Sequence, residues 1–369
     1  MMHQEYSYCT LFDTNYLDKG IVTIDSLLRC GISGKIYILA MDEQCHRILK
    51  DYYFENSHIT IIPVEEFLDQ KLRKIKLERT RAEFCWTCTA SLIEYILNIY
   101  SEKICTYIDA DMFFYSDPAV LVDEMTEREK EIQIVEHRFR DDFYGKESVR
   151  AAGRFCVEFN TFQNTNKSRE ILKEWKNSTI EFCSSVSSEN SMLGDQCYLT
   201  EWPLKYDCIN ILSNPGGGIA PWNIDRYHIV EETDGNLIVS FDGKGYYKVI
   251  FFHFHNISYL DRDTVDISVF RHHLKIDHKT VEKIYIPYLK TIDAAKSMLE
   301  QKYGVYPLLT RHPGIIETRT FKYYIGQIFS KRFIQNVLIK IHNEMTERNH
   351  KYDIYKISQL NEENMDECN

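Results

Sequence analysis

The feature that most constrains the fold is a regular alternation of strand-like and helix-like segments over the N-terminal third of the chain. The strand-like runs, which are short and apolar, are residues 6–12, 35–40, 59–62 and 103–114, and the helix-like runs are residues 21–30, 43–53 and 82–100. This alternation predicts an α/β fold whose mixed, mostly parallel sheet is covered by helices on both faces. Ligands of such sheets bind at the carboxyl ends of the strands, so side chains at those ends are the first candidates for a site.

The pattern changes after about residue 258, where helix-like segments follow one another up to an acidic tail. We therefore expect two parts, an α/β domain over residues 1–258 and a helical C-terminal appendage over residues 259–369. Within the second part, residues 321–342 mix aromatic and aliphatic side chains with Lys and Arg. Packing of an amphipathic helix on the core is the preferred interpretation, and peripheral contact with an anionic membrane surface is the alternative.

Composition limits the possible binding partners and the cellular compartment of the protein. The net charge of -11 argues against nucleic-acid binding, which needs a basic surface. The 11 cysteines are odd in number and irregularly spaced, which indicates a reducing compartment and not a disulfide framework. The chain opens without a secretory signal and has no apolar run of about 18 residues. We therefore expect a cytoplasmic protein, either free or at the inner face of the membrane. The sequence carries no signal for an oligomeric state.

Two aspartates close the longest of the strand-like runs. Residues 104–108 are apolar or small, and Asp109 and Asp111 follow at i and i+2. In an extended chain both carboxylates point to the same side, where they repel each other unless a cation lies between them. Their oxygens suit Mg²⁺ or Mn²⁺, which substrate phosphates commonly complete, so the pair predicts half of a metal–diphosphate clamp. The alternative is a pair of turn acids ahead of Asp117 and Pro118.

A second apolar run ends in two histidines. Residues 249–252 are Val-Ile-Phe-Phe, and His253 and His255 follow on one face of the extended chain. Imidazole nitrogen binds Mn²⁺ alongside carboxylates. A metal site with His253, His255 or both as ligands is as well supported as the alternative, in which the histidines are hydrogen-bonded within the core.

These motifs together resemble the nucleotide-sugar glycosyltransferases of the GT-A fold, most of all the family 8-like branch of glycogenin and lipooligosaccharide galactosyltransferase. The resemblance covers most of residues 6–256. It rests on residues 9–16 with the helix that follows, and on residues 38–42, 107–111, 159–161, 194–196 and 253–256. In that order, these segments are similar to the family's first nucleotide-binding strand and loop, second strand, Asp-x-Asp motif, Phe-Asn-Ser/Thr segment, Asp-Gln motif and His-Phe/Tyr-x-Gly stretch.

The resemblance implies a Rossmann-like GT-A fold and a role for each motif. The nucleotide would contact Phe12, Asp13, Thr14, Tyr16, Asp42 and Ala110, and the metal would be held by Asp109, Asp111, His253 and His255. Asp195 and Gln196 would be the catalytic residues, and Asn160, Trp222 and Asn223 would contact the donor or acceptor sugar. Trp222 is the best sugar-stacking candidate among the tryptophans because it lies in a loop beside three glycines.

The chain also departs from the family pattern. Where the family continues with Lys-Pro-Trp after its histidine, this chain has Ile257-Ser-Tyr-Leu-Asp261. The phosphate contact would then come from another residue, Lys248 or Arg138, although Arg138 is equally well explained as an ion-paired surface residue. These differences indicate a distinct, bacterial branch of the family.

The resemblance implies a metal-dependent hexosyltransferase that uses Mn²⁺ or Mg²⁺ and a UDP-sugar, acts on a glycan or lipid-linked acceptor, and retains the anomeric configuration. A role in bacterial surface polysaccharide assembly follows from the branch. The sequence leaves two alternative functions open. One is a scaffold that binds nucleotide or glycan without catalysis. The other is a haloacid-dehalogenase-like phosphatase, although Met112 and the position of the motif in mid-chain count against it.

Overall fold

The computed structural model describes residues 5–185, 194–233, 235–272, 274, 276–306 and 353–361. The strands are β1 (Ser7–Phe12), β2 (Ile36–Ala40), β3 (Ile59–Pro63), β4 (Ile104–Ile108), β5 (Met112–Phe114), β6 (Ile132–Glu136), β7 (Phe155–Gln163), β8 (Ile209–Ile211), β9 (Tyr227–Thr233), β10 (Asn236–Phe241), β11 (Lys244–Lys248), β12 (Phe251–His253), β13 (Ser258–Tyr259), β14 (Thr264–Asp266) and β15 (Ile354–Lys356). The helices are α1 (Leu17–Arg29), α2 (Glu43–Tyr52), α3 (Val64–Phe67), α4 (Gln70–Lys76), α5 (Arg81–Ile99), α6 (Ala119–Glu127), α7 (Phe143–Ala152), α8 (Asn166–Glu181), α9 (Trp202–Lys205), α10 (His278–Thr280) and α11 (Ile286–Tyr303).

The central sheet has seven strands in the order β3-β2-β1-β4-β7-β6-β8. All neighbouring pairs are parallel except β4–β7 and β6–β7, because β7 runs against both of its neighbours. The predicted α/β class with a mixed, mostly parallel sheet is therefore confirmed. β7 begins where β4 ends, so the first half of β7 lies at the same edge of the sheet as the end of β4.

Helices cover both faces of the sheet, which explains why its strands are apolar along their whole length. Cys9 and Leu11 of β1 point into a core shared with α5 and α8. Tyr8 and Phe12 of the same strand point into a second core shared with α1, α2 and α6. Side chains cap the N-termini of two of these helices. Asp42 caps α2, and Thr80 and Glu83 form a reciprocal capping box on α5.

Beyond residue 258 the expected helical segment is present, and the structure adds strands that were not predicted. The π-helix Val281–Tyr285 joins α10 to α11, so one continuous helical stretch ends at Gly304. β13, β14 and β15 form a small antiparallel sheet in which Val265 pairs with Tyr355. Residues 321–342 lie outside the described residues. No helix in the described part of the chain is both long and apolar enough to cross a bilayer.

Candidate metal and nucleotide site

The two aspartates lie in a turn that divides the predicted strand 103–114 into two. β4 ends at Ile108, and β5 leaves the central sheet to pair with β12. The hydroxyl of Thr23, on α1, accepts from the backbone N–H of Met112 at 3.1 Å and lies 2.9 Å from the carbonyl oxygen of Ala110. The prediction of one continuous strand was wrong, because the apolar residues after Asp111 serve a different sheet.

The β5–β12 ribbon brings the histidines to the aspartates. His253 is opposite Met112 in this ribbon, and the N–H of Phe254 donates to the carbonyl of Asp111 at 2.7 Å. His253 Nε2 consequently lies 3.0 Å from Asp111 Oδ1 and 3.7 Å from Asp109 Oδ2. One ligand atom each from Asp111, His253 and His255 lies within 4.8 Å of the other two.

Burial and mutual charge shift the acid–base properties of this cluster. Burial raises the pKa of Asp109 to about 6, and the charges of Asp111 and Glu158 add to that rise. Burial opposes the ionisation of Asp111, but the charges of His253 and Lys19 hold its pKa below the ordinary range. Burial also favours the neutral ring of His253, yet the charge of Asp111 raises its pKa well above the ordinary value. Asp111 and His253 thus form a buried ion pair.

The residues fit a divalent cation. Two ligands on opposite sides of a Mg²⁺-sized ion lie about 4 Å apart, so Asp111, His253 and His255 need only small movements to share one ion. Their carboxylate and imidazole donors suit Mn²⁺ well. The side chain of Asp109 is 29% exposed, whereas those of Asp111 and His253 are 8% and 3% exposed, so Asp109 faces the opening of the site.

The residues predicted to contact the nucleotide lie around the ends of β1 and β2. Asp42 accepts from the N–H of Thr14 at 2.8 Å and from its hydroxyl at 2.5 Å, which ties the two strand ends together. The phenol of Tyr16 donates to Asp111 Oδ2 at 3.2 Å, so this loop reaches the aspartates. The carboxylate of Asp13 pairs with Arg81 Nε at 2.7 Å.

Phe12 and Ala110 are placed differently from the rest of that set. The ring of Phe12 packs on α1, where a Cβ at Gly20 would lie only 2.5 Å from it. Ala110 is buried in the same core, and its carbonyl faces Thr23. The apolar side chains of both residues belong to the core.

Asp195 lies close enough to Asp109 for their charges to interact, and Asn160 lies on β7 next to the end of β4. Asn160 pairs with Tyr107 across β4 and β7, and Trp175 Nε1 holds the carbonyl of Asp195 at 2.9 Å. Burial raises the pKa of Asp195 to about 7, with a further contribution from the charge of Asp109. Asp195 Oδ2 and both side-chain amide atoms of Asn160 are buried and find no hydrogen-bond partner among the described residues. Gln196 Nε2 donates to the carbonyl of Ala152 at 2.7 Å.

Trp222 and Asn223 are buried behind the histidines. The indole of Trp222 is 6% exposed and packs edge-on against His253 and His255, with ring centroids 5.3 and 5.5 Å apart. Asn223 donates to the carbonyls of His137 and Gly218 and accepts from the N–H of Ala220. Both residues brace the site from behind in this arrangement.

The two predicted phosphate contacts lie away from the aspartates or are already engaged. Arg138, at a φ of 53°, donates to Tyr227 Oη and to the carbonyls of residues 212, 214 and 217, so its guanidinium holds that loop. Lys248 is exposed, and its charge acts on Cys30. Cys30 follows the far end of α1, roughly 21 Å along that helix from Tyr16. Sequence order alone could not reveal either placement.

The structure also brings in three residues that the sequence analysis missed. Lys19 is buried beside Asp111 and donates to the carbonyl of Ile257 at 2.8 Å, directly after the histidine segment. Arg81 pairs with Asp13. Glu158 lies 2.7 Å from His253 Nδ1. Glu158 left a signal in the sequence, since a carboxylate inside the apolar strand β7 needs a partner.

The fold and the site together define a mixed α/β protein with a carboxylate- and imidazole-lined site at the carboxyl edge of its sheet. No model of a known protein family matches the chain. Two proteins of Bacillus subtilis (strain 168) are similar in sequence. Uncharacterized protein YfnD is 25% identical over 304 residues, which cover 82% of this chain and 92% of YfnD. Uncharacterized protein YfnF is 28% identical over 257 residues, which cover 67% of this chain and 80% of YfnF.

Several solved glycosyltransferase structures are similar to the chain. Galactosyltransferase LgtC, in complex with donor and acceptor sugar analogs, is 13% identical with a TM-score of 0.45, covering 75% of this chain and 100% of LgtC. Mouse xyloside xylosyltransferase 1 is 12% identical with a TM-score of 0.43, covering 69% of this chain and 98% of that protein. GlyE of Streptococcus pneumoniae TIGR4 is 17% identical with a TM-score of 0.38, covering 60% of this chain and 48% of the GlyE chain.

Proposed function

We propose that this protein is a metal-dependent glycosyltransferase that moves a sugar from a nucleotide-diphosphate sugar to a glycan or lipid-linked acceptor. The observation that carries the proposal is the meeting of Asp109, Asp111 and His253 at the carboxyl edge of the sheet, with His253 Nε2 3.0 Å from Asp111. Asp109 and Asp111 precede His253 by 144 and 142 residues in the sequence, and Tyr16, in the loop after β1, reaches Asp111. This combination suits metal-assisted chemistry on a diphosphate substrate.

Asp109, Asp111 and His253, with His255 as a further donor, would hold Mn²⁺ or Mg²⁺. Such an ion neutralises the charge that gathers on a departing diphosphate. The protein's own contribution is to keep the carboxylates and the imidazole in place through the Thr23 and Phe254 backbone contacts. Tyr16 and Lys19 extend the polar lining beside Asp111.

Asp195 and Asn160 would bind the donor sugar. Their buried polar atoms, which the described part of the chain leaves without hydrogen-bond partners, suit sugar hydroxyls that donate and accept. With a pKa of about 7, Asp195 exchanges a proton near neutral pH, which suits a group that orients or deprotonates an acceptor hydroxyl. Gln196 follows Asp195 at the start of a 3-10 helix.

The finer assignments rest on the motif resemblance. It favours UDP as the nucleotide, a hexose as the transferred sugar and retention of configuration, with an inverting reaction in which Asp195 is the base as the alternative. It also favours a cytoplasmic enzyme of bacterial surface polysaccharide assembly. The proposal also includes the division into a catalytic, nucleotide-sugar-binding domain over residues 1–258 and a helical region over residues 259–369 that binds the acceptor or contacts a membrane surface.

The test is incubation of the purified protein with Mn²⁺ and a panel of UDP-, GDP-, CMP- and dTDP-sugars. We expect slow release of the free nucleotide from one UDP-sugar even without acceptor, and loss of that release when EDTA replaces Mn²⁺. Asp111→Ala should abolish both release and Mn²⁺-dependent UDP binding. Asp207→Ala is the matched control, because this exposed aspartate pairs only with a surface lysine in the described structure.

Other outcomes separate the alternatives. UDP binding that needs Mn²⁺ but never leads to turnover would indicate a scaffold. Release of inorganic phosphate without regard to the sugar would indicate a phosphatase. UDP affinity that is the same in Asp111→Ala and in the wild type would contradict the metal–diphosphate site itself.

A further inference from the structure

We propose that Glu158 is a positioning residue for the metal site: its carboxylate fixes the imidazole of His253 so that Nδ1 carries the proton and Nε2 is presented to the metal. This inference rests on the proposed function, because it assumes that His253 is a ligand. In the described part of the chain, the side chain of Glu158 pairs with His253 and not with either aspartate.

The geometry places a carboxylate on each side of the imidazole ring. Glu158 Oε2 lies 2.7 Å from Nδ1, and Asp111 Oδ1 lies 3.0 Å from Nε2. The edge-on contact with Trp222, at 5.3 Å between centroids, holds the ring in this plane. His253 therefore has one nitrogen committed to β7 and the other turned to the aspartates.

A positioning role for Glu158 also explains why its carboxylate is buried. Its side chain is fully buried inside an apolar strand, where an ionised carboxylate is costly unless it has a partner. Its backbone carbonyl accepts from the N–H of Asp109 at 3.2 Å. One residue thus fixes the backbone of one candidate ligand and the side chain of another, which links β4, β7 and β12 at the site.

The chemistry follows from the two nitrogens of imidazole. A neutral ring has one protonated nitrogen and one lone pair, and the hydrogen bond made by the first decides where the second points. An anionic acceptor at Nδ1 keeps the proton there and makes Nε2 a better donor to a cation. Loss of such a carboxylate typically weakens metal affinity by about 10- to 100-fold.

The experiment measures Mn²⁺ binding to the whole protein with Mn²⁺ alone, by the loss of the free-ion electron paramagnetic resonance signal. Glu158→Gln keeps the shape and removes the charge, and we expect its dissociation constant to rise by about 10- to 100-fold. Glu136→Gln is the matched control: it removes a carboxylate from the neighbouring strand β6, where Glu136 pairs with Arg154. Its Mn²⁺ affinity should stay within about twofold of the wild type.

A second measurement uses the wild-type protein and does not depend on whether the variant folds. With ¹⁵N-labelled histidine and one equivalent of diamagnetic Zn²⁺, the His253 resonances should show a proton on Nδ1 and none on Nε2. A proton on Nε2 instead would overturn the inference, and so would Glu158→Gln that binds Mn²⁺ within twofold of the wild type.

The same data keep the two proposals apart. Wild-type protein that binds Mn²⁺ no better than Asp111→Ala would overturn the proposed function and this inference together. Normal wild-type binding, lost in Asp111→Ala but unchanged in Glu158→Gln, would overturn the role of Glu158 alone.

Discussion

At the scale of single residues, the carboxyl group of Asp195 couples folding to pH. Its pKa of about 7 in the folded protein is well above that of an exposed aspartate, so the native state keeps a proton that the unfolded chain releases. The native state therefore binds more protons between about pH 4 and pH 7, and stability must fall as the pH rises through that window.

Asp195→Asn removes this titration. Relative to the wild type, we expect the free energy of unfolding of the variant to gain about 3 kcal/mol on going from pH 4.5 to pH 7.5, because the wild type alone loses stability from this group. Urea unfolding in the presence of EDTA at the two pH values measures the difference. Parallel pH dependence of the two proteins would show that Asp195 is not the buried acid described here.

Arg138 should matter for stability and not for nucleotide binding, since its guanidinium already donates hydrogen bonds within the protein. Arg138→Met keeps the aliphatic stem but leaves the carbonyls of residues 212, 214 and 217 without their donor. We expect a loss of about 2–4 kcal/mol in the free energy of unfolding. The Mn²⁺-dependent affinity for UDP should change by less than about twofold. A large loss of UDP affinity at unchanged stability would instead favour a direct phosphate contact.

At the scale of elements, α11 is packed into the same core as the central sheet. Leu299 is fully buried in a cluster that also contains Ile21 and Ile24 of α1. The C-terminal helical segment is thus expected to unfold together with the α/β body, although the chain pattern alone suggested an appendage.

Leu299→Ala tests that coupling. The cavity it creates should lower the free energy of unfolding by about 2–4 kcal/mol and preserve a single cooperative transition. Leu204→Ala, at a position that is 83% exposed, is the control and should change stability by less than about 0.5 kcal/mol. A separate early transition in Leu299→Ala, seen by hydrogen exchange confined to residues 286–303, would show that the helix is an independent unit.

At the scale of the whole molecule, sequence reasoning worked where the signal was local. Apolar runs and helical spacing in the N-terminal third predicted β1–β3, α1, α2 and α5 to within a few residues, because strands buried on both faces are apolar throughout. The same signal failed at Asp109 and Asp111, since Met112 and the residues after it are as apolar as those before. Periodicity cannot show that a chain has changed sheets.

The remaining differences depend on contacts between residues far apart in the chain. Val265 pairs with Tyr355, so the strand that holds Val265 could not be inferred from its neighbours in sequence. Arg138 follows the end of β6 at a positive φ, and its guanidinium donates to the carbonyl of Asn214, 76 residues later. The partner of Glu158 could not be inferred from the sequence, because β12 brings His253 to it from a distant part of the chain.

The central claim is that Asp109, Asp111 and His253 hold a divalent cation that serves a nucleotide diphosphate. The most direct measurement is anomalous diffraction at the manganese edge from crystals soaked with Mn²⁺ and UDP. The account predicts one strong peak in coordination distance of an Asp111 oxygen and of His253 Nε2, with the diphosphate of UDP on its open side. UDP bound elsewhere, or bound at this edge of the sheet with Mn²⁺ absent from both residues, would contradict it.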